Sequence, residues 1–283
     1  WEAPANAGPS TRPGQRMGVA VGSTVGSPTM LHEFFEMFLR EHSVESMRST
    51  VFFKVMSHTV AANVALACGC AGRTLAPAAA CASGLMSLCL GYEAIAAGRE
   101  EMMLCGGADE FHLLTSATFD RLGAASHIED PDCASRPFDA ERTGIVCGEG
   151  AGILLLESLE SAQARNAPIL AEIRGAAISS SPGSIAQPDA AAIADCMRRT
   201  LEDAGVQPQD VAYVNAHATA TEFGDIAEGQ AIEAVFGSSV PVSSFKGHLG
   251  HTMAASGALE SILCIEMLQS STYFRTRGLR NSD

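Results

Sequence analysis

Basic residues are scarce in this chain: 18 Lys and Arg stand against 32 Asp and Glu in 283 residues, a formal net charge of −14. So acidic a chain has no bulk attraction for nucleic acid or anionic lipid. Only a local basic patch stays open, from Arg198 and Arg199 or from Arg275, Arg277 and Arg280. A disulfide framework is missing too. Nine cysteines is an odd number, and their spacing fits no small secreted scaffold, so reduced thiols and a cytoplasmic location are expected. Metal-site patterns are equally thin. Cys68-Gly-Cys70 is too short for the usual zinc pair, and His248 and His251 have no acidic or Cys ligand close by, so no metal site is expected. No secretory or targeting pattern opens the sequence. The most membrane-like window, Ala78 to Ala97, contains Glu93, Ser83 and Ser87, which reads as a strand end and a buried helix rather than a span.

What is present is a globular composition, 47% hydrophobic and 18% charged, at a length that suits one large domain or two ordinary ones. Short apolar runs predict strands at 17–25, 101–107, 144–156, 169–178, 211–215 and 240–244. Helical stripes are expected over 29–40 and 51–67, from Cys81 through Ile95, and over 159–165, 190–204, 225–236 and 257–269. Residues 1–16, 127–139 and 179–188 read as loops. Strands alternating with helices indicate an α/β protein whose sheets are covered by helices. The glycines of Gly144 to Gly152 precede a strand rather than opening a helix, which speaks for close backbone packing and against a dinucleotide fingerprint.

The chain is organised around Pro77-Ala-Ala-Ala-Cys-Ala-Ser-Gly-Leu-Met86. A cysteine between an extended segment and a helix start has unpaired backbone N–H groups and the positive helix end nearby, a setting that favours thiolate. Taken alone, the segment fits a packed thiol better than a nucleophile. Two further loops change the balance, since His217 and the Lys246 to His251 stretch also lie between a predicted strand and a helix. In α/β sheets such loops gather at the carboxyl ends of strands. A cysteine and histidines there suit a thiol nucleophile with acid–base partners.

In its blocks the chain resembles the β-ketoacyl-acyl-carrier-protein synthases, condensing enzymes of fatty-acid and polyketide assembly within the thiolase-like superfamily. The blocks are Ala79-Ala-Cys-Ala-Ser-Gly84, Ser135-Arg-Pro-Phe-Asp139 and Gly148-Glu-Gly-Ala-Gly152. Asn215-Ala-His-Ala-Thr-Ala-Thr221 follows with Asp225 and Glu228, and then Ser243-Ser-Phe-Lys-Gly-His-Leu-Gly-His-Thr252 with Glu260. The resemblance implies a thiolase-like α/β fold of two related halves in a five-layered αβαβα arrangement. Residues 1–160 would carry the nucleophile, and residues 161–283 the lysine and histidines. It implies Cys81 as acyl acceptor, with His217 and His251 stabilising an enolate after malonyl decarboxylation. Lys246 would pair with Glu260, Asp225 and Glu228 would support the His217 loop, and Thr219 and Thr221 would bind phosphopantetheine amides. His248 would be structural. No bound cofactor is implied beyond the phosphopantetheine arm of the acyl carrier protein. The partners would be that carrier and a second ketosynthase-like chain, as homodimer or heterodimer, with no nucleic acid and no membrane span.

The likeness has departures. Ala80 stands where threonine or alanine is usual, and Ala218 where glycine follows the first histidine. An opening strand expected before residue 1 and a Gly- and Phe-rich loop expected after residue 283 are missing, and that loop would supply a second oxyanion-hole N–H. If these residues were the whole chain, activity would be in doubt. Other readings are a chain-length-setting partner without a nucleophile, a thiolase, a plant-type polyketide synthase, or an inactive scaffold. The presence of Cys81, His217, Lys246 and His251 together argues against the first three.

Overall fold

The structure is a computed structural model describing residues 16–183 and 187–282. The loop expected over 1–16 thus lies outside the described residues apart from Arg16, as do residues 184–186 of the 179–188 loop. The chain forms two compact units, each assembled from separated stretches. One takes residues up to Leu114, Glu149–Leu170 and Thr252–Ile262. The other takes Thr115–Gly148, Ala171–His251 and the residues from Leu263 onward.

The first unit is built on a four-stranded sheet of β1 (Met17–Gly22), β2 (Thr74–Leu75), β3 (Met102–Asp109) and β4 (Gly150–Glu157), in the order β2-β1-β3-β4. β1 runs parallel to β2 and β3, and β4 is antiparallel to β3. Alternation along the strands sorts side chains to two faces. Val19, Val21 and Leu104 pack with the Thr59–Cys68 helix, while Ala20, Met103 and Cys105 pack with Leu88 and Ala94 of the Ser83–Ala96 helix. A sheet buried on both faces explains why β1 and β3 read as continuous apolar runs.

The second unit holds two short parallel strands, β5 (Val214–Asn215) and β6 (Val242–Ser243). Ala216, Ala218 and Ile232 form its buried core, with Phe138, Met197, Phe236 and Val240 around them. Asp189 caps the Ala190–Ala204 helix by accepting the N–H groups of Ala191 and Ala192, and Gly205 closes it in the left-handed conformation at φ +62°.

Five expected elements differ. The helix over 51–67 breaks at Met56, which is extended, and its two parts meet at 106°. Gly26, at φ +75°, lies against the backbone of Val55, Met56 and Ser57, an approach that a continuous helix would close. The strand over 144–156 starts only at Gly150, because the preceding residues pair singly, Ile145 with Ala125 and Cys147 with His251. The strands over 211–215 and 240–244 shrink to two residues each, since a ladder is no longer than its shorter member. Residues 169–178 form no strand. Ile169, Leu170, Ile173 and Ile178 stay exposed, and apolar content without a neighbouring strand makes no ladder.

None of the nine cysteines is joined in a disulfide. Among the described residues no single helix is long and apolar enough to cross a membrane.

Candidate active site

In the first unit, Cys81 sits on a tight turn two residues before the Ser83–Ala96 helix. Ala80 adopts the left-handed conformation at φ +47°, uncommon for a residue with a Cβ. The fully buried Ser83 holds it there: its Oγ donates to the Ala80 carbonyl at 2.6 Å and accepts the Ala79 N–H at 2.8 Å. Gly84, on the first turn of the helix, lies so close to the Ala254 carbonyl that a Cβ would collide with it, and the same carbonyl lies against Gly107 of β3. Asp109, at the end of β3, accepts N–H groups from Thr24 at 3.0 Å and Ala254 at 2.8 Å, tying the end of β1 to the segment at Ala254. Glu260 is buried on the Ser256–Ser270 helix of the same unit.

The second unit brings His217, Lys246, His251, Thr219, Thr221, Asp225 and Glu228 together. β5 delivers His217. Ala216 donates to the Ser243 carbonyl at 2.9 Å, and the next two N–H groups turn to Glu228. Glu228 Oε1 accepts from His217 at 2.7 Å and Oε2 from Ala218 at 2.7 Å. β6 delivers Lys246, which is 1% exposed. Ser244 Oγ donates to the Ala218 carbonyl at 3.0 Å and accepts the Lys246 N–H at 3.3 Å, while Ser135 Oγ donates to the Lys246 carbonyl at 2.6 Å. Gly250, at φ +66°, permits the reversal after Lys246–Leu249. His251 then donates its N–H to Val146 at 2.7 Å and accepts from Gly148 at 2.9 Å.

The two imidazoles stand edge to face, 5.2 Å apart between centroids and 87° between planes. His251 is buried, and desolvation with the Lys246 charge beside it pushes its pKa down to about 3. His217 is exposed as a residue yet crowded by protein, and desolvation, Lys246 and His251 hold it well below 6.5. At neutral pH both rings are therefore uncharged, each with one N–H to donate and one nitrogen to accept. Burial pushes Asp225 up to about 6 and raises Glu228, against the hydrogen bonds that stabilise their ionised forms.

Thr219 and Thr221 place their hydroxyls 3.1 Å apart. Gly224 leaves room for the Thr221 hydroxyl, which a Cβ there would strike. His248 is exposed and donates through Nε2 to the Arg275 carbonyl at 3.0 Å. Two clefts in this unit, of about 510 and 620 Å³, are lined by none of these residues. Sequence reasoning missed Ser83, Ser135, Ser244, Asp109 and Arg142. Four of them lie within the blocks or a few residues from one. Their task is to hold backbone, which residue type alone does not announce.

Residues 1–162 match the profile of the β-ketoacyl synthase N-terminal domain, and residues 170–280 that of the C-terminal domain. The 3-oxoacyl-[acyl-carrier-protein] synthase 2 of Mycobacterium tuberculosis is 35% identical over 289 residues, an alignment that takes in 100% of this chain and 68% of that protein. Among solved structures, a β-ketoacyl synthase from Burkholderia phymatum superposes with TM-score 0.93 at 42% identity, covering 99% of this chain and 68% of the other. A type II polyketide acyl-carrier protein in complex with its ketosynthase superposes with TM-score 0.87 at 32% identity, covering 95% and 69%. The chain belongs to the β-ketoacyl synthase family. Its fold is the thiolase-like ketosynthase fold, and its class is that of the condensing acyltransferases.

Proposed function

We propose that Cys81 accepts an acyl group from a thioester and that His217 and His251 then promote its decarboxylative condensation with malonyl carried on an acyl carrier protein. The paired neutral imidazoles beside buried Lys246 carry this reading. In acyl transfer the Cys81 sulfur bonds to the thioester carbonyl carbon, and the carrier sulfur leaves as a thiol with the proton that Cys81 gave up. The carboxylate-bearing C–C bond of the malonyl group then breaks, CO₂ departs, and its electron pair becomes an enolate. The enolate carbon attacks the acyl carbonyl and expels Cys81 as thiolate.

The histidines act on the enolate oxygen. A neutral imidazole N–H aimed at a developing oxyanion needs no proton transfer, and one such donor is worth about 3 kcal/mol. Burial and the Lys246 charge keep both rings uncharged, and Lys246 opens the turn before His251. Glu228 and Asp225 hold the His217 loop, while Thr219 and Thr221 take the phosphopantetheine amides. That arm brings both substrates, and the chemistry needs no bound cofactor. Residues 1–160 act as the nucleophile half and 161–283 as the half carrying lysine and histidines. The partners are the carrier and a second ketosynthase-like chain, identical or not, in the cytoplasm.

The test separates the two half-reactions in the full-length protein. Cys81→Ala should abolish acyl transfer and labelling by a cysteine-directed probe such as cerulenin. His217→Ala and His251→Ala should retain acylation while losing about 10²–10³-fold in malonyl decarboxylation. Acyl transfer persisting in Cys81→Ala would overturn the nucleophile assignment. No adduct on wild-type protein would favour a non-catalytic partner or scaffold.

A further inference from the structure

The Thr219–Thr221 turn is held from outside by a residue that none of the roles above uses. Arg142 is almost wholly buried, with 3% of its side chain exposed. Its Nε donates to the Thr221 carbonyl at 3.2 Å, its Nη2 to the Glu222 carbonyl at 3.0 Å, and its Nη1 to the Asp139 carbonyl at 2.9 Å. Asp225 Oδ2 lies 3.9 Å from Nε and also accepts the Phe138 N–H at 2.8 Å. The Phe138–Arg142 segment therefore grips the turn through two separate contacts.

The position of this cation is informative. The guanidinium lies at the N-terminal end of the Glu222–Phe236 helix, where a positive charge opposes the helix dipole. A residue serving that helix alone would be acidic, and Glu222 and Asp225 already fill that role. What the planar fork supplies is a fixed spacing between three carbonyl oxygens. One belongs to Thr221, at the end of the turn that carries the two hydroxyls, and one to Glu222, the first residue of the helix that follows. The turn also holds Ala220 at φ +64°, a conformation that a residue with a Cβ keeps only when its surroundings impose it.

We infer that Arg142 is a positioning residue for substrate binding, setting the Thr219 and Thr221 hydroxyls at the spacing that receives the amides of the phosphopantetheine arm. This rests on the reading of those threonines given above. Arg142 touches no reacting atom in this role, so its loss weakens recognition of the arm and leaves the chemistry at the thioester.

The experiment compares two acyl donors on the full-length protein: an acyl pantetheine thioester, which has both amides, and an aryl thioester of the same acyl group, which has none. Arg142→Met should raise KM for the pantetheine donor about tenfold, change kcat less than threefold, and leave kcat/KM for the aryl donor unchanged. Arg142→Lys should restore part of the loss. An equal loss on both donors, or an unchanged KM, overturns the proposal. Should Arg142→Met fail to fold, Arg142→Lys and Arg142→Gln face the same comparison, and a loss independent of donor in both overturns it. Thr219→Val and Thr221→Val separate the underlying reading. If they show no donor dependence, the threonines do not bind the arm. If they show it and the Arg142 variants do not, the positioning role alone is wrong.

Discussion

Glu228 divides its carboxylate between two consecutive residues, taking the N–H of His217 on Oε1 and that of Ala218 on Oε2, both at 2.7 Å. The peptide carrying the first catalytic-candidate histidine is thereby bound by a side chain of the neighbouring helix rather than by a third strand residue. Glu228→Ala should strand two backbone donors, at a cost of about 2 kcal/mol or more. Urea unfolding would record that loss. Malonyl decarboxylation should fall with it, and more steeply than Cys81 alkylation.

His217 and His251 both have folded-state pKa values below the ordinary 6.5, His251 at about 3. Below pH 6.5 the unfolded chain binds protons that the folded chain refuses. Their contribution to stability is therefore complete above pH 6.5 and declines as pH falls toward 3. Decarboxylation should show no acid limb near pH 6.5. In Lys246→Met, with the neighbouring charge gone, the rings should accept protons at higher pH and an acid limb should move up toward neutrality. A pH–rate series on both proteins checks this.

Gly224→Ala should turn the Thr221 hydroxyl away from Thr219, because the added methyl occupies its place. The site is a helical one with no positive φ to lose, so thermal stability should change by no more than about 1 kcal/mol. KM for a pantetheine-linked donor should rise severalfold. Steady-state kinetics with a carrier-bound substrate would show it.

Ser83→Ala should cost about 1–3 kcal/mol, since the buried hydroxyl serves both Ala79 and Ala80. Without it the left-handed Ala80 loses its restraint, and the alkylation rate of Cys81 should drop. Ala80→Gly, added to that variant, should recover stability because glycine holds the same φ at little cost. Denaturation midpoints and iodoacetamide kinetics on the two variants test the pair.

The class of fold and the family were legible in the sequence, while several element boundaries were not. Cys81, His217, Lys246 and His251 could be named as candidates because each stands in a block whose order identifies the family. The covered sheet of β1, β3 and β4 was legible because burial on both faces writes itself as apolar runs. Residues 169–178 show the limit of that signal: the same composition makes no strand without a neighbour to bond to. The break at Met56 was hidden for a related reason, since its partner is the backbone at Gly26 some thirty residues earlier. Arg142, Ser83 and Ser244 were invisible as site residues because they act on carbonyl and amide groups that every residue possesses.

Lys246 has one more consequence. In a chain of net charge −14, it places a positive charge 1% exposed beside two uncharged rings, so the local field opposes the field of the whole surface. Dissolved ions screen exposed charges within about 8 Å at physiological ionic strength but penetrate little to a buried one. Added salt should therefore alter the encounter of the protein with its carrier, which meets the outer charge. It should leave the behaviour of His217 and His251 almost untouched, making ionic strength a means of telling docking from chemistry.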